Sequence, residues 1–211
     1  MHDVRVCMDE IGLNDSEFME GSDNTALDMI IRSKIVEALR FVNGNADLEL
    51  LSTDREMNGT VSGLPEGGGM VSVELPANFM RLCYARLDEW PMAMSEYVLF
   101  TDKEYAPLKD KYATGTWERP KLALAKKSGK KTLELYSSKG SESGYSIGLL
   151  IEPAETDGGY DVKDKLAAAF VYYLTGLVLL TLRDEHADAM FNQALNIMGI
   201  SPQQAPAGDN A

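Results

Sequence analysis

The apolar positions change period along the chain, and that change predicts the order of its elements. Val4, Cys7, Met8 and Ile11 recur at the spacing of one helical face, with Asp3 placed as N-cap and Gly12 as the stop. A polar, acidic connection follows. From about Asn24, the residues Leu27, Ile30, Ile31, Ile35, Ala38, Leu39 and Val42 form a second helical stripe that Asn43-Gly44 should end.

From about residue 47 to 152 the period shortens toward alternation. Val71, Val73 and Leu75 fall on one side of a strand and Ser72 and Glu74 on the other, with Pro76 closing it. Phe79 to Leu87 holds the next strand, and a hairpin pairs Leu122 to Ala125 with Thr132 to Tyr136 across the tip Lys126 to Lys131, where Ser128-Gly129 supplies turn chemistry. A further strand around Tyr145 to Glu152 ends at Pro153.

Helical periodicity then returns. Asp161 is placed as an N-cap, with Asp164 in the first turn and Arg183 in the last, each suited to the helix dipole. Leu166 to Leu182 is a run of 17 residues without a charge. A membrane span wants about 20 such residues, and this run contains Thr175 and Gly176 within polar flanks, so it reads as the core helix of a soluble protein that must be covered on every side. Glu185 to Met198 forms a last helix with Ala187, Met190, Phe191, Ala194, Leu195 and Met198 inward.

The expected fold is α+β: a helical bundle of an N-terminal helix pair and two C-terminal helices, with an inserted antiparallel β-sheet region. It forms a single domain over 1–200, with helical parts at 1–45 and 160–200, a β-rich part at 47–155 and a flexible tail at 201–211, rich in Pro, Gln, Ala and Gly.

With 211 residues, 45% hydrophobic and 25% charged, the chain can bury a real core. Its formal net charge of −13 opposes loose binding to nucleic acid or anionic lipid. That charge lies in blocks: residues 1–101 hold 18 acids against 7 bases, 102–139 hold 5 against 10, and the remainder 10 against 3. Blocks of opposite sign suit subunits that meet in a fixed orientation; solvated faces that merely differ in charge are the simpler reading. The two cysteines, Cys7 and Cys83, with no basic-then-apolar leader after Met1, suggest a reduced, cytoplasmic setting.

Candidate chemistry is sparse. Gly67, Gly68 and Gly69 are not followed by Gly-Lys-Ser/Thr or by a helix, so they read as a mobile turn and not a phosphate loop. Lys126, Lys127, Lys130 and Lys131 could grip phosphate at the hairpin tip, although lysines there more often keep a strand end soluble. Asp184, Glu185, His186 and Asp188 crowd one helix start. Glu185 and Asp188 share a face, so a weak metal site is conceivable, against the plainer reading that acids offset the dipole there. Trp90, Trp117, Tyr97, Tyr105 and Tyr112 sit in the loop-rich middle, as partner anchors or as core. No nucleophile-base, Cys-x-x-Cys or His-Glu-x-x-His pattern is present, and the expectation is no catalytic, cofactor-binding or metal residue and no cofactor.

The order of parts resembles the head-to-tail adaptor, or connector, proteins of tailed bacteriophages, in particular the short-tailed type. The resemblance rests on the N-terminal helix pair, a strand leading into Leu75-Pro76-Ala77-Asn78-Phe79-Met80-Arg81-Leu82, the Tyr97 to Tyr112 loop region, Arg119-Pro120 before a strand, Leu133-Glu134-Leu135-Tyr136, and the Ala-rich helix with its successor. It spans about residues 1 to 200 on loose patterns. It implies a non-enzymatic virion subunit, made in the host cytoplasm, that forms a dodecameric ring with itself and meets portal and tail proteins. DNA would pass along an acidic wall without being held, the lysine hairpin would face outward or toward a neighbour, and no membrane is involved. An alternative of another class is a cellular acidic enzyme or ligand-binding domain with a weak metal or small-molecule site near His186.

Overall fold

The computed structural model describes residues 2–10, 25–61, 69–110, 115–116, 118–138 and 144–200. Ile11, Gly12, Asn24, Gly67, Gly68, Tyr112, Trp117 and the expected tail at 201–211 lie outside the described residues. The chain divides into two compact units, one of Met1–Ser52 with Pro153–Ala211 and one of Thr53–Glu152.

The first unit is helical: α1 (His2–Glu10), α2 (Thr25–Asn45), α3 (Ala167–Leu182) and α4 (Ala187–Ile197). Its organiser is α3, on which each of the other three packs. Leu174 to Leu179 are buried without a break, among Val4 and Met8 of α1, Ile31 and Ala38 of α2, and Ala187 and Met190 of α4. Phe41 stacks on Tyr173 with ring centres 4.1 Å apart, and Phe191 leans on the same ring. Gly176 is what lets α4 come this close, since a Cβ there would sit 2.6 Å from the Phe191 ring. α1 and α2 join each other through the Arg5–Asp28 ion pair at 2.6 Å.

The ends of these helices are set differently from the sequence reading. Asp3 lies within the first turn of α1. α2 runs through Asn43-Gly44 to Asn45, because Val42 and Ala46 must both reach the cluster around Leu166 and Met198. Asp161 does not cap α3: a 3-10 turn at Asp164–Leu166 leads into it without a side-chain cap. Arg183 stops α3 in the left-handed region at φ 58°, with the Arg183 and Asp184 amides returning to Leu180 and Leu179. α4 ends on the glycine form of the same motif, at Gly199.

The second unit is built of strands: β1 (Arg55–Thr60), β2 (Val71–Glu74), β3 (Phe79–Leu87), β4 (Val98–Leu99), β5 (Leu122–Lys127), β6 (Lys130–Leu135) and β7 (Gly144–Ile151). They form two sheets, ordered β1-β7-β3 and β2-β6-β5-β4. Alternation makes each sheet two-faced, and the inner faces share one core: Val71, Val73, Leu122, Leu133 and Leu135 from one, Phe79, Leu82, Leu87, Ile147 and Leu149 from the other, with Trp90 between strands. The β5–β6 hairpin turns on Ser128 and Gly129, both with positive φ, as a two-residue turn that matches strand twist requires. In the three-stranded sheet two glycines lie beneath tyrosines directly across from them: Gly59 is paired with Tyr145, and Gly148 with Tyr84.

The α+β class therefore holds, but the architecture expected within it does not. The strands make two sheets and not one antiparallel region, and β4 runs parallel to β5. The helices are not two pairs of a bundle; three of them surround α3, because its apolar middle has no polar side to leave uncovered.

Candidate functional site

Three places bear on function, two of them anticipated and one not. The first is α3. By length and composition this helix, taken from Asp164 to Leu182, is apolar enough to cross a membrane, yet its C-terminal half is the core of the helical unit. The expected cover on every side is incomplete at the start of the helix. Ala167 and Ala168 are exposed there, and Val171 and Tyr172 are half-buried. Further along the same stripe Thr175 is buried, its hydroxyl donating to the Val171 carbonyl, and Val4 and Met8 of α1 pack into the cluster that holds Leu174, Leu177 and Val178. Thus α1 covers the second half of the stripe and leaves the first half open. Around this opening the charges are mixed: Lys163, only 10% exposed, pairs with the exposed Asp161 at 3.4 Å, and Lys165, beside Asp164, donates to the Glu49 carbonyl.

The second place is the lysine hairpin. Three of its four lysines are engaged within the chain. Lys127 Nζ reaches Glu134 Oε1 at 2.7 Å and Ser72 Oγ at 3.1 Å, Lys130 Nζ reaches Glu74 Oε1 at 2.6 Å, and Lys131 Nζ donates to the Phe79 carbonyl while lying over the Phe79 ring. Phosphate would have to compete with carboxylates for two of these ammonium groups, which weakens the tip as an anion clamp.

The third place was not visible in the sequence. Glu134, in β6, is 2% exposed on the sheet face opposite the main core. Its Oε2 accepts from Tyr136 Oη at 2.7 Å and Tyr105 Oη at 3.0 Å, while Lys127 holds Oε1. Burial alone would raise its pKa; the ammonium and the two phenols together outweigh burial and hold the carboxyl below its ordinary value. Both phenols move up, first through desolvation and then because each donates to a carboxylate. Room for this group comes from Ala123, buried against Tyr136 and Leu108, under the segment that carries Val98 and Tyr105. A signal was present: Thr132, Glu134 and Tyr136 alternate with Leu133 and Leu135, opposite Ala123 and Ala125, so both sheet faces are covered. The network ties a loop segment to a sheet and presents no open group to a substrate.

The remaining expectations resolve individually. Trp90 is core, Tyr97 packs against that core, and Tyr105 belongs to the Glu134 network. At the start of α4, Asp184 Oδ1 accepts from both the backbone N–H and Nδ1 of His186, the latter at 2.8 Å, and these bonds depress the Asp184 carboxyl. Among the described residues no group of three or more His, Cys, Asp or Glu side chains is arranged to hold a metal ion. No family model matches the chain, and no characterised protein matches it in sequence.

Proposed function

We propose that this chain is a non-enzymatic structural subunit of a phage or prophage virion, a head-to-tail adaptor that assembles as a ring between portal and tail and lets DNA pass. The observation that carries the reading is the open apolar start of α3 on a unit of high negative charge. Apolar surface adjoining a buried core is a contact surface awaiting a partner. The helical unit holds 19 acidic residues against 7 basic ones, a net of −12. A wall of that sign repels the DNA backbone at every phosphate, so DNA passes without sticking. The internal engagement of the hairpin lysines supports the same reading, since it removes the strongest competing grip on DNA.

The partners are further copies of the chain, the portal protein and tail proteins, with assembly in the bacterial cytoplasm and residence in the virion. The test is native mass spectrometry and negative-stain electron microscopy of the purified chain mixed with the portal protein encoded beside it. Rings seated on the portal are expected. A chain that stays monomeric and indifferent to that portal overturns the reading.

A further inference from the structure

The two sheets of the β unit have four edges, and three of them are blunted. β4 is two residues long, and β2 is four, with Pro76 two residues beyond its end. β3 is broken by register shifts at two points, and Met94 closes its outer side at Ala85, the Met94 amide donating to the Ala85 carbonyl at 2.8 Å and the Ala85 amide to the Met94 carbonyl at 2.7 Å. β1 differs on every count. It pairs with β7 over six residues without a shift, it contains no proline and no lysine, and among the described residues no backbone hydrogen bond reaches its outer side. Four of its six residues are exposed and the other two half-buried. A regular, uncovered edge is a template for a further strand.

The residues of β1 select what can lie along it. Met57 packs on the core, so Arg55, Met57 and Gly59 share the core face and Glu56, Asn58 and Thr60 the opposite one, where Glu56 accepts from Tyr84 across Gly148. A second copy of β1 laid parallel and in register would set Arg55 on Arg55 and Glu56 on Glu56. An antiparallel copy related by a two-fold axis normal to the sheet keeps both core faces on one side, and only residues that share a face can then stand opposite one another. Centring that axis on Arg55 or Glu56 again opposes like charges. Centring it on Met57 does not: Met57 meets Met57, Glu56 meets the side-chain amide of Asn58, and Arg55 meets Gly59, beside the Tyr145 ring that lies over that glycine. An axis on Asn58 avoids like charges too, but it sets Met57 against Gly59 and loses the apolar pair.

We propose that two copies of the free chain pair through β1, antiparallel about a two-fold axis at Met57, so that two three-stranded sheets join into one of six. A contact of this kind closes after two copies. It is therefore separate from the assembly reading above and concerns the chain before it meets a portal, when pairing keeps the one regular edge covered. A single strand pair buries little surface, which makes the association weak and reversible.

The test is sedimentation equilibrium of the full chain, without portal, as its concentration is raised toward about 1 mM. The variants change Asn58, an exposed residue whose partner across the axis is Glu56. The wild type should show a monomer–dimer equilibrium. Asn58→Lys creates two cross-strand ion pairs and should tighten the dimer by about 2- to 30-fold, while Asn58→Asp opposes two pairs of like charges and should loosen it by a similar factor. The same two changes at exposed Asn192 of α4 control for net charge and should leave the dimer unchanged. Amide hydrogen exchange locates the contact: exchange in β1 should slow as the dimer fills. A wild type that is monomeric throughout overturns the proposal. So do Asn58 variants that move the equilibrium no more than those of Asn192, loosening by both Asn58 variants, as an axis on Asn58 requires, or exchange in β1 that is unchanged in the dimer. None of these outcomes bears on rings formed with a portal, so the assembly reading stands or falls by its own test.

Discussion

Replacing Glu134 with alanine isolates the energetics of the buried network, because its partners differ in their access to water. Tyr105 and Lys127 are partly exposed and can turn to solvent when the carboxylate is removed. Tyr136 is buried and cannot. The substitution therefore loses charge-assisted hydrogen bonds, each worth about 1.5–3 kcal/mol, and strands one hydroxyl at a further cost of about 1–3 kcal/mol. Turning the freed groups to water recovers part of the sum, and breaking a buried pair from one side typically costs about 3–5 kcal/mol, which is the expected loss here. Against a total stability of about 5–15 kcal/mol for a typical domain, that is a large fraction. The measurement is urea unfolding followed by tryptophan emission, with Trp90 buried in the same unit as reporter. Glu134→Gln keeps an acceptor and should cost about half as much. Adding Tyr136→Phe to Glu134→Ala removes the stranded hydroxyl, so the double variant should be more stable than the two single losses predict, by about 1–2 kcal/mol. A loss below about 1 kcal/mol for Glu134→Ala, or strict additivity in the double variant, would refute the reasoning.

The same network sets a pH dependence with a definite sign. Glu134 is held below its ordinary pKa, so its contribution is present above the unfolded carboxylate value of about 4.3 and is lost as pH falls through the lower folded value. Tyr136 is shifted upward, so its contribution is present below about 10 and is lost at higher pH. Acid and alkaline unfolding curves of Glu134→Gln should therefore be shallower than wild type at the acid end, and Tyr136→Phe should be shallower at the alkaline end. Leu177→Asp places a charge in the buried middle of α3 and should leave no cooperatively folded helical unit by circular dichroism; a folded variant would show that this helix is not core. Gly176→Ala brings a methyl against Phe191 and should cost about 1–3 kcal/mol from overpacking, less the helix-propensity gain of about 1 kcal/mol. Combining it with Phe191→Leu should relieve part of that cost, and thermal unfolding of all three variants checks this.

The elements that the sequence predicted well are those whose own residues decide them. Val71 to Glu74 alternates cleanly, Phe79 to Leu87 is bounded by Pro76 and by the Asp88-Glu89-Trp90-Pro91 turn, and Ser128-Gly129 dictates a hairpin. β1 escaped notice because Arg55-Glu56-Met57-Asn58-Gly59-Thr60 has little apolar pattern; it is a strand because β7 pairs with it. β4 is two residues long and exists through a parallel partner more than twenty residues away, a relation no local period records. Helix ends were misplaced where tertiary packing overrode a stop, as at Asn43-Gly44. Glu134 was legible as an alternating residue and illegible as a buried charge, since its burial depends on the segment around Tyr105 and Leu108 folding back over the sheet.

The tyrosines that lie over glycines in the three-stranded sheet have a consequence for alignment. β7 is the middle strand, and it supplies one ring, Tyr145 over Gly59, and one vacancy, Gly148 under Tyr84. A slip of either neighbour by one residue would set Tyr145 against Asn58 or Thr60, and Tyr84 against Ile147 or Leu149, where side chains already occupy the space. The two pairs thus work as keys cut for a single position. The Tyr145–Gly59 pair gives the weakly patterned β1 one addressed place on β7, and the Tyr84–Gly148 pair does the same for β3.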